Sequence, residues 1–299
     1  MQRKKNIRLL FVLLGLLVIT SVVLFYEPSS SHDGTKDLFS IENITEINHV
    51  IIKNKTGEVK LKLAGREWEV NDKFAANVAR INDLFVIFQK VNVRRKVAKA
   101  EQQNLLSKFE SEGVSVEIFA NNSSVKAYKI LQNDKETLTY FIDEDIVYVC
   151  NIPGSSYHIA RLFLLDEEGW RSKYVFAANW NTLEKLAVTY LDNSGFTISY
   201  DPKGYFVEGV DALDTTKMYH YLEQISYLQV ESFLLSKPEK SLSSLFTIDV
   251  VDAGSQSLSI TFYRTEDRYF GSINESQWAL FRKRDVELLM TKKENFEQK

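Results

Sequence analysis

The residues of this chain with obvious chemical reach are four histidines (His32, His49, His158 and His220), one cysteine and two acidic clusters. His158 follows Gly154-Ser155-Ser156-Tyr157, which sets serines close to a base. A nucleophilic serine also needs that base positioned in space and an oxyanion hole, and this segment is not a G-x-S-x-G turn. The spacing instead predicts that Ser155 or Ser156 caps a helix over the apolar run Ile159 to Leu165. Asp143-Glu144-Asp145 and Asp166-Glu167-Glu168 gather carboxylates. Neither has the alternating oxygen ligands, turn glycine and terminal carboxylate of a calcium loop, so both are expected on solvated turns. Glycoside hydrolysis by paired carboxylates depends on spatial rather than linear spacing, and a carboxylate hydrolase stays open as a minor alternative. No catalytic, cofactor-binding or metal-binding residue is assigned.

Two further groups suggest contact rather than catalysis. Arg94, Arg95 and Lys96 form a basic stretch after the first helix. On an edge strand such charges discourage sheet-to-sheet pairing, and they also suit an acidic partner or phospholipid. Trp68, Tyr205, Tyr219, Tyr221 and Tyr227 could line a saccharide-binding face, although their spacings fit core positions as well. The expected interaction surface is therefore Arg94, Arg95, Lys96, Tyr219 and Tyr221. Cys150 lies in the apolar run Ile146 to Cys150 and reads as a buried, inert thiol.

These groups are carried by a chain that repeats itself. Val59, Leu61 and Leu63 alternate as in a strand, and Trp68 and Val70 continue the alternation after Ala64-Gly65. Asn77 then precedes a helical stripe of Ile81, Leu84, Phe85, Phe88 and Val91. An offset of 137 carries these onto Phe196, Ile198, Tyr200, Tyr205, Val207, Asp214, Met218, Tyr221, Leu222, Ile225 and Leu228. The match runs on to Leu105 and Leu242, after which the second copy is shorter by about five residues. Each copy reads as a meander, a helix of about four turns, a second short helix stopped in the first copy by Gly113, and further strands. The fold class is α+β: an N-terminal transmembrane helix followed by two tandem similar lobes, each an antiparallel sheet covered by helices.

The expected organisation is a cytoplasmic tip and anchor over residues 1–27, a stalk over 28–37, a first repeat over 38–176 and a second over 177–299. Leu9 to Tyr26 are uncharged, and fourteen of these eighteen residues are Leu, Ile, Val or Phe. Such a run spans a bilayer, and Arg3, Lys4, Lys5 and Arg8 before it keep the N-terminus in the cytoplasm. Phe25-Tyr26-Glu27-Pro28 offers no small-x-small cleavage site, which disfavours a removed signal peptide. Residues 1–32 hold four basic residues and one acidic, so without them the net charge falls from −3 to −6. That balance, with no basic stripe, argues against nucleic acid as a partner.

The basic N-terminus, the anchor, Ile44-x-x-Ile47, Gly57, Trp68-x-Val70-Asn71, the Ile81/Leu84/Phe85/Phe88 helix and Trp170-Arg171-x-Lys173-x-x-Phe176 together resemble the DUF4340 family of bacterial envelope proteins. The resemblance implies no catalytic residue and no cofactor. It implies a single-pass protein of the bacterial inner membrane with its bulk in the periplasm. Similar domains occur in accessory proteins of ABC-type transport systems, some linked to gliding motility. The expected function is that of a non-enzymatic scaffold that contacts the bilayer through Leu9 to Tyr26 and an envelope partner such as an ABC-type permease. The alternative is a module that binds cell-wall glycan.

Overall fold

A computed structural model gives the fold, describing residue 20 and residues 35–155, 158–176, 182–238, 241–253 and 257–298. The expected anchor, Thr20 apart, and most of the expected stalk lie outside the described residues. Among the described residues no helix is long and apolar enough to cross a membrane.

The chain forms two antiparallel sheets. The first contains β1 (Ile47–Asn54), β2 (Gly57–Ala64), β3 (Glu67–Val70), β4 (Phe74–Ala75), β5 (Asn92–Lys96), β6 (Val114–Ala120), β7 (Ser123–Gln132), β8 (Thr139–Asp143) and β9 (Ile146–Asn151). Helix α1 (Val78–Lys90) precedes β5, and α2 (Lys99–Glu112) follows it; α3 (Ile159–Phe163) and α4 (Glu167–Trp170) follow β9. The second contains β10 (Leu183–Tyr190), β11 (Gly195–Asp201), β12 (Gly204–Val207), β13 (Val230–Leu234), β14 (Ser243–Asp252), β15 (Ser257–Arg264), β16 (Tyr269–Ile273) and β17 (Gln277–Phe281). Helix α5 (Thr215–Ser226) precedes β13, and α6 (Lys283–Leu289) follows β17.

The strand orders are β4-β3-β2-β1-β6-β7-β8-β9-β5 and β12-β11-β10-β14-β15-β16-β17-β13. With β4 set aside they correspond strand for strand, which gives the sequence repeat its structural meaning. The matched helices bury matched residues: Ile81, Leu84 and Phe88 on α1, and Met218, Tyr221 and Ile225 on α5. Asp214 caps α5 as its position predicts, its carboxylate accepting from the Lys217 amide at 3.1 Å.

Some expectations are corrected. The second copy has no helix matching α2 among the described residues; β13 leads to β14 through a segment containing Pro238, which lacks an N–H to donate and disrupts a helix interior. Gly113 does end α2, but its φ of −64° is not left-handed. A side chain there would instead collide with the Phe109 carbonyl. At the start of α3 the cap position is His158, with no side-chain capping bond. The described residues from 35 to 66 and from 79 to 166 form one compact unit, and those from 67 to 78 and from 167 to 298 form another. Backbone bonds explain where the junction belongs, because Val175 donates to Leu228, Val230 to Lys173, and Ser172 to Ala75.

In the second unit one core joins the sheet to its helices. Leu186, Val188, Ile198, Ile248 and Phe262 pack with Met218, Leu222, Ile225, Val286 and Leu289. The first unit has a smaller cluster on the sheet face that carries α2, made of Val97, Phe109, Leu131, Val147 and Val149. At one residue's shift along the strands, Ile130, Phe141, Tyr148 and Cys150 are buried on the opposite face. Burial pushes the Cys150 thiol well above its ordinary range, which suppresses the reactive thiolate.

Candidate functional site

The strand alternation that buries Val114, Val116 and Ile118 sends Ser115 and Glu117 to the face that carries α2. Register then builds two rows across that face. Lys53 pairs with Ser115, Ser115 with Lys129, and Lys129 with Ile142; in the next row Ile51 pairs with Glu117 and Glu117 with Ala127. Beside these rows α2 contributes Leu106, Phe109 and Glu110, while the β8–β9 hairpin contributes Glu144 and Asp145. The result is an open groove of about 660 Å³ within the first unit. That volume falls in the range of small-ligand and peptide sites.

Charge in the groove is uneven. It is lined by four carboxylates (Glu110, Glu117, Glu144 and Asp145) and two amines (Lys53 and Lys129). Lys53 already binds Glu58 at 2.9 Å, and this bond, followed by Glu58's charge, raises its pKa; Glu117 adds a smaller contribution. Asp143-Glu144-Asp145 does form the expected hairpin turn, with Glu144 at a φ of 51°. Glu110 and Glu117 were not singled out from sequence. The signal for Glu117 was present in the alternation of β6, and that for Glu110 in its place one residue after Phe109.

The second acidic cluster is partly engaged rather than simply solvated. The Asn71 amide donates to Glu167 at 2.7 Å, and the Phe233 backbone N–H donates to Glu168 at 3.2 Å. Next to them Arg171, only 8 % exposed, lies between the rings of Phe74 and Phe233, 3.4 and 3.8 Å from their centroids. Its Nη2 donates to Gln277 at 3.1 Å. The Arg171 Nε and the Trp170 indole N–H are buried without hydrogen-bond partners. Burial lowers the pKa of the guanidinium, partly offset by Glu167 and Glu168. This cluster holds residues 67–78 against the second sheet, and its chemistry is that of packing.

The expected contact residues separate. Arg94, Arg95 and Lys96 are exposed on β5, which is an edge strand of the first sheet. Tyr219 is 54 % exposed, but Tyr221 is 3 % exposed and donates its hydroxyl to the Leu289 carbonyl at 3.2 Å, so it belongs to the core. The reason is helical phase: Tyr221 shares a stripe with Met218, Leu222 and Ile225, whereas Tyr219 falls outside it. Tyr219 and Tyr205, both named from sequence for a saccharide-binding face, form a row with Tyr200, which was not. Tyr200, 56 % exposed, meets Tyr205 at 5.0 Å between centroids, and Tyr205 meets Tyr219 at 6.2 Å. Burial, with Tyr200 and Tyr219 beside it, raises the Tyr205 pKa.

No group of three or more His, Cys, Asp or Glu residues is placed to hold a metal ion among the described residues. Comparison with protein-family models, with curated proteins and with solved structures finds no match to this chain.

Proposed function

We propose that this chain is a membrane-anchored docking protein of the bacterial cell envelope, non-enzymatic, with an envelope protein such as an ABC-type permease as its partner. The apolar run Leu9 to Tyr26 supports the anchor, and the resemblance in sequence supports the compartment. The observation that carries the docking role is the groove beside α2: an open surface of ligand size, lined by apolar and charged side chains together, on one face of the first sheet. The test is purification of the full-length protein from membranes in mild detergent, followed by mass spectrometry. Recovery of a permease or another envelope complex is the expected result. A protein that is repeatedly recovered alone overturns the reading.

The row Tyr200–Tyr205–Tyr219 favours a second reading, in which the second unit binds cell-wall glycan through exposed aromatic rings. Retention on insoluble cell-wall glycan, lost in a Tyr200→Ala, Tyr219→Ala double variant, is its signature. Equal retention of the double variant excludes that row as the contact.

A further inference from the structure

We infer that the groove beside α2 takes an extended segment of a partner protein in which basic and apolar residues alternate. This inference rests on the docking role proposed above and names the partner's chemistry. The groove crosses β1, β6, β7 and β8. Four neighbouring strands at roughly 4.8 Å spacing give a floor about 14 Å wide, which matches about four residues of extended chain. Its apolar ground is Ile51, Ala127 and Ile142, with Leu106 and Phe109 rising from α2 along one side. Alternate side chains of an extended segment point to opposite sides, so one set settles on this ground while the other reaches the rim.

The rim decides the sign of the occupant. Glu110 on the helix and Glu144 and Asp145 on the hairpin turn stand at the rim, while Glu117 rises from the floor between Ile51 and Ala127, so carboxylates approach an occupant from several directions. Of the two amines, Lys53 is held by Glu58. Lys129 is then the one lining cation that no carboxylate holds among the described residues, set between Ser115 and Ile142 in the cross-strand row. An acidic segment would meet four like charges, whereas a basic one finds carboxylates on both sides. A floor where Ile51 and Ala127 flank Glu117, under a rim carrying Glu110, Glu144 and Asp145, therefore selects lysine or arginine alternating with aliphatic residues.

The experiment titrates the full-length protein in detergent with a short peptide of alternating Lys and Val, a Glu–Val counterpart, and spermine as a free polycation. The Lys–Val peptide is expected to bind and the Glu–Val peptide not to. Glu117→Lys with Glu144→Lys should weaken Lys–Val binding by about tenfold, a loss of about 1.4 kcal/mol. Lys129→Glu should tighten it, and a change in that direction cannot come from misfolding. Indifference to these substitutions, or spermine binding that displaces the peptide completely at equal charge concentration, overturns the inference. Co-purification separates the two proposals. A permease still recovered with the Glu117→Lys, Glu144→Lys protein leaves the docking role standing and removes the groove as its contact.

Discussion

The two sheets share one strand order, β4 set aside, yet distribute side-chain volume in opposite ways. Across the first sheet one cross-strand row reads Val114, Ile130, Phe141, Tyr148; the corresponding row of the second reads Phe246, Phe262, Gly271, Ala279. Bulk sits on the outer pair of strands in one copy and on the inner pair in the other. In the second copy Phe246 stacks on Phe262 at 4.8 Å, and the Phe281 ring fills the space above Gly271. Topology thus survives the exchange of individual core residues, provided that the volume between sheet and helices is conserved. The outer faces are freer. There the first copy has α2 and the groove beside it, and among the described residues the second has no helix matching α2.

The largest test of this comparison is Phe141→Ala, which empties a fully buried ring from the first unit. It should cost about 3–5 kcal/mol. Gly271→Ala asks the reverse question, because an added Cβ would lie 2.5 Å from the Phe281 ring. Overpacking there should cost about 1–3 kcal/mol, borne by the second unit. Denaturant titration of each variant, with hydrogen exchange read separately over β7–β9 and β15–β17, locates the loss. Equal loss of protection in both regions from either substitution would show that the copies unfold as one body.

A smaller effect is expected at Arg171, which lies between the Phe74 and Phe233 rings. Two ring contacts at about 0.5–1 kcal/mol each predict that Arg171→Ala costs roughly 1–2 kcal/mol. Arg171→Met, which keeps volume and removes a buried charge, should cost less. Limited proteolysis within residues 67–78 should accelerate in the alanine variant first. If methionine proves as costly as alanine, the guanidinium matters through its charge and its hydrogen bond to Gln277 rather than through the volume it fills between the rings.

The smallest difference lies in the helix caps and is visible only in acid. Asp214 caps α5, whereas Asn77 stands before α1 and does not titrate. The hydrogen bond with the Lys217 side chain, then that with its backbone, holds the Asp214 carboxyl below its usual value. A depressed folded pKa means that the cap's contribution is present above the unfolded value near 4 and is lost as pH falls through the folded one. Hydrogen exchange over 215–226 should therefore rise relative to 78–90 as pH drops below about 4, after correction for intrinsic rates. Asp214→Asn should abolish the difference.

Much of this fold was legible in the residues because a buried sheet face and a helix stripe impose periods of two and 3.6. Ile81, Leu84 and Phe88 announced α1 in this way, and their partners at the 137-residue offset announced α5. The missing helix in the second copy was legible only in part: Pro238 and the shorter spacing marked it, but the long run of matched positions suggested otherwise. Tyr221 was misplaced because aromatic type speaks of both core and surface, and only its phase within the stripe separates them. The groove was not legible at all. Its carboxylates lie 35 positions apart in the chain, from Glu110 to Asp145, and become neighbours only through β6–β7–β8 register.

Cys150, sealed within β9, gives the protein a practical character of its own. With its sole sulfhydryl out of reach, the native molecule should neither form mixed disulfides in an oxidising environment nor take up maleimide dyes. Any cysteine engineered onto an outward position would then be the only one to react. Single-site fluorescent or spin labels can be placed on either copy without first stripping the natural thiol.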